Sequence, residues 1–501
     1  MEEKELYQIV EKEIAELAKI SKGYIDSGES AHKIERGLMK QLLHLGYVLL
    51  SYIIKSRISK ASKREVEKAE GEIIQSKGIR ERSYVSYFGE MELSRESYWS
   101  KEKGKFYKGD EDLELPKGIK YSYNIQELLG TSASSMDYRE SVKVLNKVLD
   151  LGLSEKLSER NVGHLGEQVG SYYEQKAVED VVKAEGEIAC FSGSFDGKGV
   201  VMIKEAVEGA GENPKKRLGK GEKPNRMQMA TLSVTSSFIP KARSRDSILK
   251  GLLGNSLDRI KEKHIKKDAP KLGEENDNKW HKNIHKRAFL AEQGKAVDYG
   301  IHQIKSMMID VNSRFVVPID AGIGLEDKVL QSVKKYELEA QFDGIILDII
   351  HVSEYTWDAA TAIFGEKSKQ RLAWVRKVLE DILDSKTAKV INGLEKIAQK
   401  VPLSDSKLTQ LNKTISYFTN HQHNMDYKKF IEKGYPVSSA LVEAACGHLV
   451  KQRLEQSGMR WSPNGAQAMM DLRAVKLNGD MSEFMDFIVS EDRIKNFKFA
   501  A

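Results

Sequence analysis

Cysteine and proline are scarce in this chain of 501 residues. The two cysteines, Cys190 and Cys446, cannot build a disulfide framework, and the sequence has no CxxC pair from which a thiolate zinc site could be assembled. Only 9 prolines occur, about 2% of the chain against a usual level of roughly 5%. Proline interrupts helices because it lacks a backbone donor. We therefore expect a protein of a reducing compartment that is rich in long helices.

Signals for export, membrane insertion and triphosphate binding are also lacking. The N-terminal sequence MEEKELYQIVEKEIAEL is acidic and helical in pattern, whereas a secretory signal needs a basic start and an unbroken apolar stretch. The longest apolar stretch nearby, Leu42 to Ile54, is shorter than the roughly 20 residues of a membrane span. It predicts a core helix. No GxxxxGK[ST] loop is present, which argues against chemistry driven by a nucleoside triphosphate.

The positive charge is concentrated in two places. The whole chain has 80 Lys+Arg against 74 Asp+Glu, a formal net charge of +6. The windows Lys215–Arg226 and Lys241–Lys267 together carry a net charge of +11, which leaves −5 for the rest. Such a patch suits a phosphate backbone, because each neutralised phosphate releases counterions. A solvated lysine-rich loop would show the same pattern, so the charge alone leaves both interpretations open.

The first third of the chain predicts helices around one β-hairpin. Helical periodicity runs from residue 1 to about 78, and the segment Ser83–Ser100 predicts a hairpin that turns at Gly89. Three further helices are expected at Ile125–Leu129, Tyr138–Leu149 and Glu159–Val181, the last with Ser158 as its N-cap. The short turn Leu151–Leu153 permits either a DNA-binding helix-turn-helix or an ordinary helical hairpin.

From Glu187 onward the pattern changes to alternating strands and helices. We expect two strands around an Asp196-Gly197 turn, a third strand at Met227–Pro240, and a helix at Lys286–Met308. Two further apolar runs end at Asp320 and beside His351, with a helix at Glu326–Lys335 between them, and another helix begins near Pro436. This succession is typical of a mixed α/β sheet.

Three acidic residues stand where a carboxylate needs a partner. Asp196 and Asp320 end apolar strands, and Glu443 lies on a late helix. A carboxylate that faces a core is costly unless it is paired or bound to metal. Three such oxygen ligands fit Mg²⁺, and two ions would clamp both oxygens of an in-line displacement at phosphorus. A chain with 74 acidic residues produces such triplets by chance, however, and Asp196-Gly197 also reads as a plain turn.

The C-terminal stretch Tyr417–Leu477 resembles the bacterial DDE transposases of the ISKra insertion-sequence family, distant relatives of the Mutator-like transposases. The likeness is carried by Glu443, Lys451 and Arg453 and by the run Ser457-Gly458-Met459-Arg460-Trp461-Ser462. Further matches are Ser194-Phe195-Asp196-Gly197 at the first acidic position, Ile319–Leu325 at the second, and Asp348-Ile349-Ile350-His351 at the C/D-x-x-H signature. The resemblance covers roughly residues 82 to 480.

This resemblance implies an α/β RNase H-like catalytic core with an all-helical insertion, preceded by a mainly helical N-terminal DNA-binding region that contains a β-hairpin. The expected domains are a helical arm at 1–80, the hairpin and helix-turn-helix-like region at 81–185, the catalytic core at 186–354 and 436–465, the helical insertion at 355–435, and a C-terminal tail at 466–501.

The implied activity is metal-dependent cleavage and strand transfer of DNA. Asp196, Asp320 and Glu443 would hold two Mg²⁺ ions, for which Mn²⁺ can substitute, and the partners would be double-stranded terminal inverted repeats and target DNA. A homodimer or larger assembly is expected in the synaptic complex, in the prokaryotic cytosol near the nucleoid. His351 would take part in catalysis or brace the sheet. Asp348 is the alternative second acid, or else supports the metal ligands.

The basic residues expected to contact DNA are Lys215, Lys216, Arg217, Lys220, Arg243, Arg245, Lys451, Arg453 and Arg460, together with Trp461. Arginine beside tryptophan is also a common packing pair.

The sequence departs from the family pattern at three places. Ala321 follows the second acid where the family usually has glycine, Ser438-Ser439-Ala440 replaces a Gly-Ser-Gly run, and the N-terminal cysteine-rich element of many relatives is absent. All three acids are retained, which favours an active transposase over the alternative, an inactive or domesticated DNA-binding protein derived from one. A general RNase H-like nuclease would not require the extended N-terminal binding region.

Overall fold

The computed structural model describes residues 3–59, 66, 74–101, 104–176, 189–204, 227–254, 280–290, 292–308, 310 and 312–496. The chain divides into two compact units. The first comprises Met1–Glu174 and Gly479–Ala501, and the second comprises Gln175–Asn478.

The first unit begins with two long helices and an antiparallel sheet. Its elements are α1 (Glu3–Asp26), α2 (Ala31–Ser59), β1 (Gln75–Ser86), β2 (Gly89–Ser100) and β3 (Gly104–Phe106), and the strands lie in the order β1-β2-β3. The hairpin confirms the prediction, although the turn is formed by Tyr87 and Phe88, and Gly89, which has φ +135°, is the first residue of β2. The prediction of a core helix at 42–54 is wrong, because α2 buries only Ser51, Ile54 and Ile58 among the described residues.

Four helices follow, α3 (Lys108–Asp112), α4 (Tyr123–Ala133), α5 (Tyr138–Leu149) and α6 (Glu155–Gln175). Ser158 is not the N-cap of α6. The helix begins one turn earlier, where the Ser154 hydroxyl accepts a hydrogen bond from the backbone N–H of Leu157 at 3.3 Å.

The second unit is built on a five-stranded mixed sheet. Its strands are β4 (Cys190–Val201), β5 (Met227–Phe238), β6 (His281–Phe289), β7 (Arg314–Ile319) and β8 (Phe342–Leu347). They lie in the order β6-β5-β4-β7-β8, with β4, β5 and β6 antiparallel and β7 and β8 parallel to β4. The helices between them are α7 (Arg245–Leu253), α8 (Gln293–Met307) and α9 (Leu325–Lys335).

Two predicted elements of this sheet are wrong. Asp196-Gly197 is no turn, because β4 is one continuous strand that pairs with β5 from end to end and holds Asp196 opposite Leu232. The predicted helix at 286–308 is strand at its start, since β6 pairs with β5 and α8 begins only at Gln293. In both places pairing with a distant strand overrides the local preference of the sequence.

Helices cover both faces of the sheet. On one face Phe195 and Val317 pack against Val297 of α8 and Val329 of α9. On the other face lies a helical block of α10 (Ile349–Phe364), α11 (Gln370–Leu383), α12 (Thr387–Lys400), α13 (Asp405–His421) and α14 (Tyr427–Glu432). The helical character predicted for residues 355–435 is therefore present.

The remaining helices are α15 (Ala440–Ala445), a π-helix (Cys446–Lys451), α16 (Gln452–Leu454), α17 (Pro463–Asn478) and α18 (Met481–Asn496). The amide side chains of α17 cover the edge of β6. Gln467 accepts from the N–H of Leu290 at 2.6 Å, and Asn478 accepts from the N–H of Lys286 at 3.0 Å and donates to its carbonyl at 3.1 Å. Covering an edge in this way prevents pairing with another chain.

Residues 466–501 differ from the predicted tail, because they form two helices that belong to different units. Helix α17 lies in the second unit, whereas α18 packs in the first, where the Phe484 ring lies 5.3 Å from that of Tyr172 and Asp492 accepts from the Tyr123 hydroxyl at 2.8 Å. An apolar and aromatic face such as that of α18 is stabilised only when it is buried.

Candidate active site

Two acids follow the adjacent parallel strands β7 and β8. Asp320 comes directly after β7 and Asp348 directly after β8, so both stand at the carboxyl edge of the sheet. The N–H of Asp348 donates to the carbonyl of Ile319 at 2.8 Å, which joins the ends of the two strands. The N–H of Gly322 donates to Oδ1 of Asp320 at 3.2 Å and orients that carboxylate.

Asp196 lies at the same height on β4. The parallel pairing of β4 with β7 matches Ser192 with Val316, and the same offset places Asp196 level with Asp320. The Asp196 carboxylate accepts from the thiol of Cys446 at 3.1 Å and from the N–H of Gly197 at 2.6 Å. A residue of β4 and one of the π-helix thus meet at this edge.

Glu443 reaches the site from α15, and His351 from the first turn of α10. Nε2 of His351 lies 3.7 Å from Oε1 of Glu443, and Nδ1 lies 3.1 Å from Oε2 of Glu354. Asp348, His351 and Glu443 each offer a ligand atom, and these three atoms lie within 4.8 Å of one another. Asp196 and Asp320 lie outside this close group.

Asp348 is enclosed by hydrogen-bond donors. Its Oδ1 accepts from the N–H of Ile350 at 2.7 Å, and its Oδ2 accepts from the N–H of Ser439 at 3.0 Å and also from the Ser439 hydroxyl. The side chain is fully buried. Because both oxygens already serve as acceptors, we interpret Asp348 as the residue that holds α10 and α15 together.

The site concentrates negative charge in a partly desolvated setting. Burial, reinforced by the Asp196 carboxylate, raises the pKa of Asp320. Burial, followed by the charges of Asp348 and Asp196, raises the pKa of Glu443. Burial alone would lower the pKa of His351, but the surrounding carboxylates, Asp348 foremost, outweigh it and raise that pKa. A cation at this edge would relieve the repulsion.

A buried arginine supports the π-helix that follows Glu443. The Arg473 guanidinium, from α17, donates to the carbonyl of Leu449 at 3.1 Å and to the carbonyl of His448. Burial lowers the pKa of Arg473 to about 10, with the nearby Arg453 adding to the effect. π-helical turns are often found at functional sites. Asp348 at one end and Arg473 at the other therefore hold the segment that carries Glu443 and Cys446.

The residues predicted to contact DNA differ in their exposure to solvent. Lys215, Lys216, Arg217 and Lys220 lie outside the described residues. Lys451 and Arg460 are exposed. Arg245 is exposed but forms an ion pair with Asp384 at 3.1 Å.

Three of the residues predicted to contact DNA take part in packing within the protein. Arg453 is fully buried, with its guanidinium 5.1 Å from the ring centroid of Trp461. Trp461 is itself buried and donates from Nε1 to the carbonyl of Leu454 at 3.1 Å. Arg243 is partly buried, donates to the carbonyl of Tyr435 at 2.8 Å and lies over the Trp280 ring. The arginine that packs on Trp461 is Arg453, whereas the adjacent Arg460 is exposed.

Cys446 and Ser439 are the site residues that the sequence analysis missed. Cys446 follows Glu443 by three residues, a spacing that places both on one face of a helix, and this was the available signal. Ser439 gave no such signal, because its partner Asp348 is 91 residues away.

Neither a comparison with protein-family models nor one with curated proteins gives a match for this chain.

Proposed function

We propose that this protein is a DDE transposase with an RNase H-like core, which cuts double-stranded DNA at the ends of an insertion sequence and joins those ends to target DNA in the prokaryotic cytosol. The observation that carries the proposal is that Asp196 and Asp320 stand level on adjacent strands at one edge of a mixed sheet, with Glu443, whose pKa burial raises, near enough for the charge of Asp196 to raise it further. These residues come from three distant segments, yet each carboxylate is oriented at that edge or influenced by another of the three.

The donor set fits a hard divalent cation. Carboxylate oxygens are the ligands that Mg²⁺ and Mn²⁺ prefer. Asp196, Asp320 and Glu443 would hold the ions, which when bound would polarise the scissile phosphate and activate the attacking oxygen.

The chain's own residues have separate tasks in this proposal. Cys446 and Gly322 orient the carboxylates of Asp196 and Asp320 by hydrogen bonding. His351, 3.7 Å from Glu443, is placed to hold or pass a proton at Nε2. The exposed cations of Lys451 and Arg460 would pair with the phosphate backbone.

The test is DNA cleavage with labelled duplexes from the DNA that flanks the coding sequence, in Mg²⁺ or Mn²⁺. Asp196→Asn, Asp320→Asn and Glu443→Gln should each lower cleavage by about 10³-fold or more, because each removes a charge that the transition state requires. Glu395→Gln, at an exposed position of α12, is the matched control and should cleave normally.

Three outcomes would contradict the proposal. Cleavage by Asp196→Asn at the wild-type rate would show that the site is wrong. An inactive but folded Asp348→Asn beside an active Asp320→Asn would make Asp348 the second acid. Binding of the duplex without cleavage by any form would favour a DNA-binding protein derived from a transposase.

A further inference from the structure

Helix α2 is apolar along its length but mostly unburied. By length and composition it could cross a membrane, yet only 6% of its most apolar window is buried. Leu42 is 54% exposed, Ile53 48% and Met39 41%. Leaving side chains of this kind in water costs about 1.5–3 kcal/mol each relative to burying them. In α1, Tyr7, Ile14 and Ile25 are exposed as well.

A heptad series of apolar residues, of which Leu42 is exposed and the others are partly exposed, runs along α2. In α2, Leu38, Leu42, Leu45, Leu49 and Tyr52 are separated by four, three, four and three residues, and all are exposed or partly exposed. This spacing is the seam of a coiled coil, which packs against another helix. The residues that dock α2 onto its own sheet, Ile54 and Ile58, lie outside that series.

We propose that α1 and α2 form a self-association surface, and that its partner is the same surface of a second copy of this chain. The inference concerns the first unit only and does not depend on the proposed function. A two-fold interface of this kind is self-complementary, so the seam of α2 would pack against α1 and α2 of the partner.

The charges of the two helices suit this arrangement. Among the residues whose side chains the structure describes, α1 carries four acidic and three basic side chains, whereas α2 carries one acidic and five basic ones. An acidic helix beside a basic one across the interface favours pairing of α1 with the α2 of the other copy.

The size of the surface also suits a stable dimer. The helices have 24 and 29 residues. At 1.5 Å per residue and a face about 10 Å wide, they offer roughly 700–800 Å² per copy. This is close to the area of about 800 Å² per partner that stable interfaces bury.

A lipid environment fits α2 less well than a protein partner. Its His44 lies 3.4 Å from Glu13 of α1, and its Arg57 donates to the carbonyl of Asp112 at 2.7 Å. Ile54 and Ile58 pack onto strands of the sheet. A helix that is docked along a polar, water-facing unit cannot be surrounded by hydrocarbon.

The experiment is sedimentation velocity of the full chain without DNA, from about 0.5 to 50 µM. The wild type should be a dimer, and Leu42→Glu should weaken self-association by about 100-fold or more, because each substitution acts twice in a symmetric dimer. The matched control is Val148→Glu, at an exposed position of α5 in the same unit that is 52% exposed, and it should leave the dimer intact. Circular dichroism verifies that both variants are folded.

A monomeric wild type across this range would overturn the proposal, and so would a Leu42→Glu variant that is as dimeric as the wild type. Flotation with vesicles of phosphatidylglycerol and phosphatidylethanolamine tests the lipid alternative. Binding that is lost in Leu42→Glu while the dimer persists would assign the surface to membranes instead.

Discussion

Replacing His285 by glutamine is expected to make the second unit less sensitive to acid. His285 lies on β6, where its Nε2 is 2.7 Å from the Tyr299 hydroxyl and its Nδ1 is 3.2 Å from Nδ2 of Asn478. The orientation of the Asn478 amide is set by Lys286, whose N–H donates to its Oδ1. Nδ1 of His285 must therefore accept a hydrogen bond, and a second ring proton would face a donor.

The sign of the effect follows from the pKa. Burial, together with the charge of Arg287, lowers the pKa of His285 to about 3, from 6.5 in the unfolded chain. Between these values the unfolded chain binds a proton that the folded protein does not. The free energy of unfolding therefore falls as the pH drops from about 6.5 towards 3, and is unaffected above that window.

The magnitude follows from the same two values. At pH 5.0 the unfolded imidazole is almost fully protonated, so the protein loses about 2 kcal/mol relative to pH 7.5. His285 as a whole residue is only partly buried, so we expect about 1–2 kcal/mol. His281, whose pKa burial lowers to about 4, acts in the same direction and is left intact in the variant.

Urea unfolding at pH 7.5 and 5.0, followed by tryptophan fluorescence, measures this difference. Four of the five tryptophans, Trp280, Trp357, Trp374 and Trp461, lie in the second unit. The pH-dependent loss should be about 1–2 kcal/mol smaller in His285→Gln than in the wild type. The control His302→Gln, at an exposed position of α8, should behave as the wild type. Equal losses in His285→Gln and the wild type would refute the reasoning.

Three further predictions concern the site. Asp348→Asn should destabilise the second unit by about 2–3 kcal/mol, because the amide group would face the N–H and hydroxyl donors of Ser439. A double-mutant cycle with Ser439→Ala should show a coupling energy of at least about 0.5 kcal/mol. Strictly additive effects would show that the contact does not contribute to stability. Arg473→Met should lower the free energy of unfolding by about 2 kcal/mol, because it leaves two carbonyls without their hydrogen bonds from the guanidinium. Thermal unfolding compares it with the control Arg376→Met, at an exposed position, where a change within about 0.5 kcal/mol is expected. Equal effects of the two substitutions would argue against a supporting role for Arg473. Mg²⁺ affinity, measured by titration calorimetry, should fall as the pH is lowered from 7.5, because the raised pKa of Glu443 lets protons compete with the cation. Glu443→Gln should weaken binding at least tenfold and flatten this pH dependence. An affinity that is unchanged in the variant would remove Glu443 from the ligand set.

Local patterns in the sequence predicted the elements whose stability is local. The hairpin at Gly89, the strand ending before Asp320 and the helices over residues 355–435 are present, because turn chemistry and helical periodicity act over a few neighbouring residues. Asp196, Asp320 and Glu443 were singled out mainly by the resemblance to the DDE transposases, because acids beside apolar runs also arise by chance in a chain with 74 acidic residues.

The tertiary structure decided which polar and charged groups are buried, and with which partners. Asp348 looked like a rival for the second acid, and its contact with Ser439, 91 residues away, is what favours a positioning role for it. Arg453 and Trp461 looked available for DNA, and only their burial shows that they pack. The apolar run of α2 looked like a core segment, but the first unit leaves it in water. Burial and hydrogen bonding depend on residues distant in the chain, so composition and spacing cannot supply them.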